Sequence, residues 1–256
     1  MQMIMVDVSY APTSWLNLML MPSFVAMKMD VRPLDSEAPD PQHSSHDHES
    51  GGVGDTGLYA LLEAFEAPGH ELHLGLGLSA PTGSVNEKTD RSHQQEDAYT
   101  HYGMQLGSGT WDFLPSLTYN GAWRRLSFGG QLSGTVRLED ENDAGYALGD
   151  VFQATGWAGF ALTRWLNATA RGLYTWQGHI RHQYDRRHDE SGPMDFPSNY
   201  GGQYVDLGLG LAAAATSGPL AGQRLALEWL QPLHDDVDGY QLERVGSLQA
   251  SWSLAF

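Results

Sequence analysis

The chain has 256 residues, no cysteine and a formal net charge of −17 at pH 7. These values exclude a disulfide-stapled scaffold and argue against a nucleic-acid partner, because a chain that neutralises phosphates needs clustered Lys and Arg. No run of about 18 apolar residues is present, so no transmembrane helix is expected. The mean hydropathy of −0.37 still allows a membrane β-barrel, in which only alternate residues face lipid.

The first thirty residues alternate between two faces with a period of two, which is the pleat of a β-strand. A short turn at residues 11–14 joins the two predicted strands, and one face of both is mainly aliphatic. The opposite face carries six methionines, which are Met3, Met5, Met19, Met21, Met27 and Met29. A hairpin cannot bury an aliphatic face alone, so this face needs a further apolar partner.

Nine more segments continue the pattern along the chain. Their approximate ranges are 58–65, 72–80, 111–120, 126–139, 149–163, 165–178, 204–211, 224–229 and 247–256. Most are longer than strands of soluble sheets and suit a tilted crossing of a bilayer. Short links near 11–14, 67–70, 121–125, 163–165 and 216–223 alternate with long polar ones near 31–52, 82–102, 140–148, 179–200 and 234–244. This rhythm is typical of outer-membrane barrels.

The sequence therefore predicts one all-β domain over residues 1–256, an antiparallel up-and-down transmembrane β-barrel in the bacterial outer membrane, with the lipid bilayer as its partner. Eleven strands are counted, whereas bacterial single-chain barrels have an even number. The opening residues also lack the pattern of a secretory signal peptide. We therefore expect a twelfth strand before Met1, and an open seam between residues 1–10 and 245–256.

Several short stretches resemble a known family. They are Met19-Leu-Met-Pro22, Gly52-Val-Gly-Asp-Thr-Gly-Leu58, Leu78-Ser-Ala-Pro-Thr-Gly-Ser84, Met104-Gln-Leu-Gly-Ser-Gly-Thr-Trp-Asp112 with Pro115-Ser-Leu-Thr-Tyr119, and Tyr146-Ala-Leu-Gly-Asp150. The chain resembles methionine-rich outer-membrane transporter barrels related to the group described as the MetA pathway of phenol degradation. Its last strand, which ends at Phe256, is similar to the strand that the barrel-assembly machinery recognises. The resemblance implies transport of a small solute but does not identify which solute.

The methionine face is the first candidate site. If the aliphatic face meets lipid, the six thioethers face the lumen, where soft sulfur suits Cu(I). The alternative is that methionine fills the barrel interior or forms an apolar permeation surface.

A histidine tract in the first long link is the second candidate, with residues His43, His46 and His48. Imidazole beside carboxylates suits Zn, Cu(II) or Ni. We therefore expect transient capture of Cu or Zn, followed by passage along the methionines, and no bound organic cofactor. The alternative is a solvated loop that binds metals only weakly.

Charged side chains on the lumenal face form the third candidate. They are Asp7, Glu63, Glu71, His73, Asp112, Arg137, Glu139, Arg171, Asp206, Arg224 and Glu228. Such charges either pair across the lumen or line a wet path, and the majority of acids would favour cations.

Little in the sequence indicates an enzyme. A nucleophile needs a base within hydrogen-bond reach, and His73 and Ser79 lie too far apart on one predicted strand. We therefore predict a channel or transporter for a small solute or cation. An aromatic-hydrocarbon uptake barrel, a structural barrel that transports nothing and an outer-membrane hydrolase are the alternatives.

Overall fold

The structure is a computed structural model that describes residues 1–31, 46–88, 98–185 and 192–254. It is built from antiparallel strands and three short 3₁₀ helices. Within the described residues no helix is long and apolar enough to cross a membrane.

The first eight strands are β1 Gln2–Met5, β2 Val8–Thr13, β3 Leu16–Met21, β4 Ser23–Val31, β5 His46–Val53, β6 Thr56–Ala67, β7 His70–Ala80 and β8 Asp112–Trp123. The remaining strands are β9 Leu126–Arg137, β10 Tyr146–Ala147, β11 Val151–Ala161, β12 Leu166–Gln177, β13 Arg181–His182, β14 Gly202–Ala214, β15 Gln223–Val237 and β16 Ser247–Leu254. The 3₁₀ helices span Tyr102–Met104, Pro193–Asp195 and Pro197–Asn199.

One eleven-stranded sheet dominates the fold. Its order, β16-β15-β14-β12-β11-β9-β8-β7-β6-β3-β2, places each long strand beside its neighbours in the chain. The segments β1, β4 and β5 form a second ladder that continues β2, β3 and β6 past short interruptions. The predicted count of eleven antiparallel strands in up-and-down order is therefore confirmed.

The two faces of this sheet differ as the sequence pattern predicts. Along β7, Leu74, Leu76 and Leu78 are exposed, whereas Gly75 and Gly77 between them are buried. Along β14, leucines on one face likewise alternate with buried or half-buried residues on the other. The outer face is thus an apolar surface fit for lipid, and the inner face is polar and rich in small residues.

Two details of the strands differ from the sequence prediction. The strand β5 begins inside the stretch 31–52 that was expected to be a loop, because its polar side chains alternate toward a polar interior. In β6, a register shift between Glu63 and Phe65 places Phe65 opposite Leu72. Phe65 stands two residues after the lumenal Glu63, so strict alternation would place it on the inner face, but the bulge turns it to the outer face.

The sheet has two edges, β2 with its continuation β1, and β16. Every residue of these three strands is exposed. Among the described residues no ladder joins β16 to β1 or β2. The twelfth strand stays a prediction.

The hydrophobic core lies in the long connections rather than in the strand wall. We call these connections the cap, and they comprise residues 81–88, 98–111, 138–150, 178–185, 192–201 and 238–246. The core residues are Val85, Tyr99, Tyr102, Ala144, Tyr146, Ile180 and Tyr184. The ring centroids of Tyr102 and Tyr184 stack 4.4 Å apart at 11°. The cap is therefore a packed unit at one end of the sheet.

Candidate functional site

The short stretches that carry the family resemblance converge where the cap meets the strand wall. Asp55, between β5 and β6, accepts hydrogen bonds from the backbone of Gly83 at 3.0 Å and of Ser108 at 2.7 Å. A Cβ on Gly107 would lie 2.8 Å from the Cα of Gly83. Only glycines allow two backbones to approach this closely, so one carboxylate fixes both cap segments to the wall.

Asp112 also connects the cap with the strand wall. Its carboxylate accepts hydrogen bonds from Thr110 Oγ1 at 2.7 Å and Ser108 Oγ at 3.1 Å, and it pairs with Arg137 on the next strand. The backbone N–H of Arg137 donates to Asp150 Oδ1 at 2.9 Å. Both members of the Asp112–Arg137 pair are nearly buried, and their hydrogen bonds offset part of the cost of the lost hydration.

A second ion pair lies on the inner face of β12, β14 and β15. Arg171 donates to both carboxylate oxygens of Glu228 and also to Gln249. The strand β14 runs between the two partners. It contributes Gly208 and Gly210, where an added Cβ would meet Glu228 at 2.6 Å and the carbonyl oxygen of Leu227 at 2.7 Å. The missing side chains leave room for the pair to lie across the strand.

Arg244 of the cap forms a third charged group, a clasp over the inner face. It donates to Asp206 Oδ1 at 2.7 Å and to Asp235 Oδ1 at 2.6 Å, and it stacks 4.6 Å from the ring centroid of Tyr204. Partial burial disfavours its charge, but the bonds to Asp235 and Asp206 raise the pKa of Arg244, which therefore stays charged. The clasp ties the link between β15 and β16 to the wall.

A cavity of about 340 Å³ lies at the cap end of the sheet. Its lining side chains come from β4, three cap segments and the start of the chain. They include Met1, Met27, Met29, His101, Met104, Met194, Asn199, Tyr200, Gln241 and Leu242. The strand β4 pairs with β1 at the first edge of the sheet, and residues 241 and 242 belong to the link that leads into β16.

One histidine of this cavity is held by a buried carboxylate. His101 Nδ1 and Asp195 Oδ1 are 2.5 Å apart, and the other oxygen of Asp195 accepts from Gly192 N at 2.9 Å. The ring of His48 packs edge-on against that of His101, with centroids 5.0 Å apart. Tyr200 lines the same cavity; burial raises its pKa, and its hydroxyl donates to the carbonyl of Met194 at 2.8 Å.

The six predicted methionines lie on the inner face, but they do not form one site. Register places Met3 and Met5 opposite Val25 and Ser23 at the exposed sheet edge. The methyl end of Met21 lies 3.2 Å from where a Cβ on Gly57 would be, so this side chain packs against the wall. Met19 faces Tyr59. Only Met27 and Met29 of the six line the cavity.

The histidine tract differs from its prediction. His43 lies outside the described residues, and the side chain of His46 is likewise not described. His48 is buried within β5 rather than solvated in a loop, because β5 pairs along β4 and turns this side chain inward. Among the described residues, no three His, Asp or Glu side chains lie close enough to hold a metal ion.

The eleven predicted lumenal charges have different surroundings. Five of them form the ion pairs already described, which are Asp112, Arg137, Arg171, Asp206 and Glu228. Glu63 and His73 face each other across β6 and β7, whereas Glu71 and Arg224 are exposed toward the short turns. Asp7 is exposed between β1 and β2.

Glu139 is the exception among these charges. The strand β9 ends at Arg137, so Glu139 lies in the cap and is exposed, where it accepts a hydrogen bond from Trp111 N at 2.8 Å. Its placement on the lumenal wall was wrong because the alternation was extended beyond the end of the strand. Phe256 lies outside the described residues.

Sequence reasoning missed Asp55, His101, Met104, Met194 and Arg244 as site residues. Met104 and Asp55 stand in the stretches that carry the resemblance, which was a usable signal. His101, Met194 and Arg244 lie in long links without periodicity, and the sequence gives no sign that the fold brings them to the wall.

Comparison with known proteins agrees with the fold. A crystal structure of an outer membrane channel from Pseudomonas putida F1 matches with a TM-score of 0.59 at 13% sequence identity, covering 97% of this chain and 79% of that chain. No curated protein matches the sequence. The family model described as "Putative MetA-pathway of phenol degradation" matches residues 13–220. The chain therefore belongs to this family, and its fold is that of a β-barrel protein of the bacterial outer membrane.

Proposed function

We propose that the chain is an outer-membrane channel for small solutes, which enter through the cavity beside the cap. The observation that carries this proposal is the cavity itself, which lies at the end of a polar inner face, whereas the outer face is apolar. The similar protein from Pseudomonas putida F1 is described as an outer membrane channel, which supports the same function here. We also expect the barrel-assembly machinery to recognise the terminal strand.

The cavity limits the size and charge of the solute. Its volume of about 340 Å³ is at the lower end of the range for small-molecule sites, about 300–1,000 Å³. Its lining consists mainly of thioethers, an aromatic ring and amides, and its one ammonium, that of Lys28, pairs with Glu49 at 2.8 Å. The charges of the nearby wall are engaged in ion pairs. Small neutral solutes or a single soft cation therefore fit better than anions or oligosaccharides.

Phenol-sized aromatic molecules are a second candidate. The family description refers to phenol degradation, and Tyr200, Leu242 and several methionines line the cavity. Thioether sulfur makes favourable contacts with aromatic rings. Passage of either class requires no chemistry by the protein. We therefore expect no ester hydrolysis, and any hydrolysis that disappeared in His73→Ala would contradict this part of the proposal.

Proteoliposomes test the channel directly. We would measure flux of phenol, Ag(I), KCl and glucose in parallel for the wild type, Leu242→Trp and Leu220→Trp. Leu242 lines the cavity, whereas Leu220 lies in a short-turn link, and both are well exposed, at 68% and 59%. We expect Leu242→Trp to reduce flux and Leu220→Trp to leave it unchanged. Wild-type vesicles that pass none of the four solutes would refute the channel and favour a structural barrel.

A further inference from the structure

Five of the nine methionines in the chain meet in the cavity. Met27 and Met29 come from β4, Met104 from a 3₁₀ helix of the cap and Met194 from another, and Met1 also lines the space. These residues are far apart in sequence, and the fold concentrates their side chains around about 340 Å³. Simple hydrophobic packing does not require methionine at each of these positions.

The cavity also contains an oriented imidazole. Both oxygens of Asp195 are engaged, one by Gly192 N and the other by His101 Nδ1. Because a carboxylate only accepts hydrogen bonds, the neutral ring carries its hydrogen on Nδ1 and keeps a lone pair on Nε2. No residue in the described ranges is hydrogen-bonded to that nitrogen. This carboxylate–histidine arrangement is the one that orients metal-binding imidazoles in proteins.

We propose that the thioethers of Met27, Met29, Met104 and Met194, together with His101 Nε2, bind one soft monovalent cation, Cu(I) or Ag(I). This inference rests on the proposed function and names a solute class for its cavity.

Charge and ligand type both favour such an ion. Thioether and imidazole ligands carry no charge, and the ammonium of Lys28, which also lines the cavity, pairs with Glu49 at 2.8 Å. The buried carboxylate of Asp195 is then left to balance one positive charge. Thioether ligands select soft metals, whereas Zn and Cu(II) prefer nitrogen and oxygen donors. The site therefore discriminates against Zn, for which the described residues offer no cluster of three His, Asp or Glu side chains.

Methyl NMR of the wild-type protein tests the inference without any substitution. The chain with ¹³C-labelled methionine methyl groups, in detergent micelles, is titrated with silver nitrate in halide-free buffer. No thiol competes, because the chain has no cysteine. We expect shifts of the methyl signals of Met27, Met29, Met104 and Met194 that saturate at one Ag(I) per chain. Met3, Met5, Met19 and Met21 lie outside the cavity lining and provide the internal control.

Two triple variants measure the affinity. Met27→Leu/Met104→Leu/Met194→Leu should lose saturable Ag(I) binding, whereas the matched control Met5→Leu/Met19→Leu/Met21→Leu should keep it. Asp195→Asn tests the positioning role and should weaken binding by about 10- to 100-fold without removing a ligand. Zn(II) should not displace Ag(I) from the wild type.

The inference is overturned if Ag(I) shifts no cavity methyl group, or shifts all nine alike. It is also overturned if phenol shifts the cavity methyl groups and Ag(I) does not, which would assign the cavity to aromatic solutes. Solute flux without Ag(I) binding would overturn only this inference, whereas Ag(I) binding without flux of any solute would overturn only the channel.

Discussion

The Asp112–Arg137 pair should be strongly coupled, because both partners are nearly withdrawn from solvent. The exposed fractions of their side chains are 3% and 10%. Asp112→Ala removes the carboxylate and leaves the Arg137 guanidinium buried without its counter-charge. Breaking one side of a buried pair costs about 3–5 kcal/mol. We therefore expect Asp112→Ala to lower the free energy of unfolding by that amount.

Arg137→Ala should cost less than Asp112→Ala. Asp112 would still accept hydrogen bonds from Thr110 and Ser108, each of which contributes about 1.5–3 kcal/mol when the acceptor is charged. The double variant removes both charges together. It should therefore be more stable than the sum of the single variants predicts, with a coupling energy of about 1–3 kcal/mol.

Urea unfolding in lipid or detergent measures these differences, with fluorescence of the eight tryptophans as the signal. Arg224→Ala is the control, since Arg224 is exposed near a short turn and its removal should change stability by no more than about 0.5 kcal/mol. A coupling energy indistinguishable from zero would refute the reasoning, because it would mean that the two charges do not depend on each other.

Three further perturbations probe the cap and its attachment. Arg244→Ala removes the ion pairs with Asp206 and Asp235. It should raise single-channel conductance and cation selectivity in planar bilayers. Unchanged conductance and selectivity would show that the clasp does not restrict the path. Gly107→Ala forces a Cβ against Gly83 and should cost about 1–3 kcal/mol, whereas Gly172→Ala, with no atom within 4 Å, should cost less in the same urea assay. Burial raises the pKa of Tyr146 from 10.0 to about 12, so as the pH rises the unfolded chain loses this proton before the folded chain does. The free energy of unfolding should therefore fall between pH 10 and 12 by up to about 3 kcal/mol. The Tyr146→Phe variant has no such proton, so its free energy of unfolding should fall less over this pH range. Identical alkaline unfolding curves for the wild type and the variant would contradict this prediction.

The strand wall could be predicted from the sequence because its information is local. Each long strand must present an apolar outer face, so apolar residues occur at every second position in segments such as 72–80. Strand count, order and the faces of β7 and β14 all followed from that pattern. The pattern gave the wrong face at the bulge before Phe65 and beyond the end of β9. At these places one extra residue or a turn of the chain moves a side chain to the other side of the sheet, and the composition shows no sign of it.

The candidate site could not be predicted in the same way. Its residues lie in segments without periodicity, as His101, Asp195 and Arg244 do. Their partners are distant in sequence, so no local pattern predicts these contacts. The tyrosine core of the cap shows the same limit. Tyr99, Tyr146 and Tyr184 come from three separate long links, and single aromatic residues in polar loops do not indicate that they pack together.

The cap and the wall are stabilised by different forces, and the cavity lies where they meet. The wall turns leucines outward to lipid, so its stability depends on the membrane. The cap buries its own aromatic core and is attached through carboxylates, chiefly Asp55, Asp112 and Asp206. A cap with its own core can keep a solute cavity in shape while the wall adapts to the bilayer. Ligand geometry should therefore depend on the cap contacts of His101 and Met104 more than on lipid thickness.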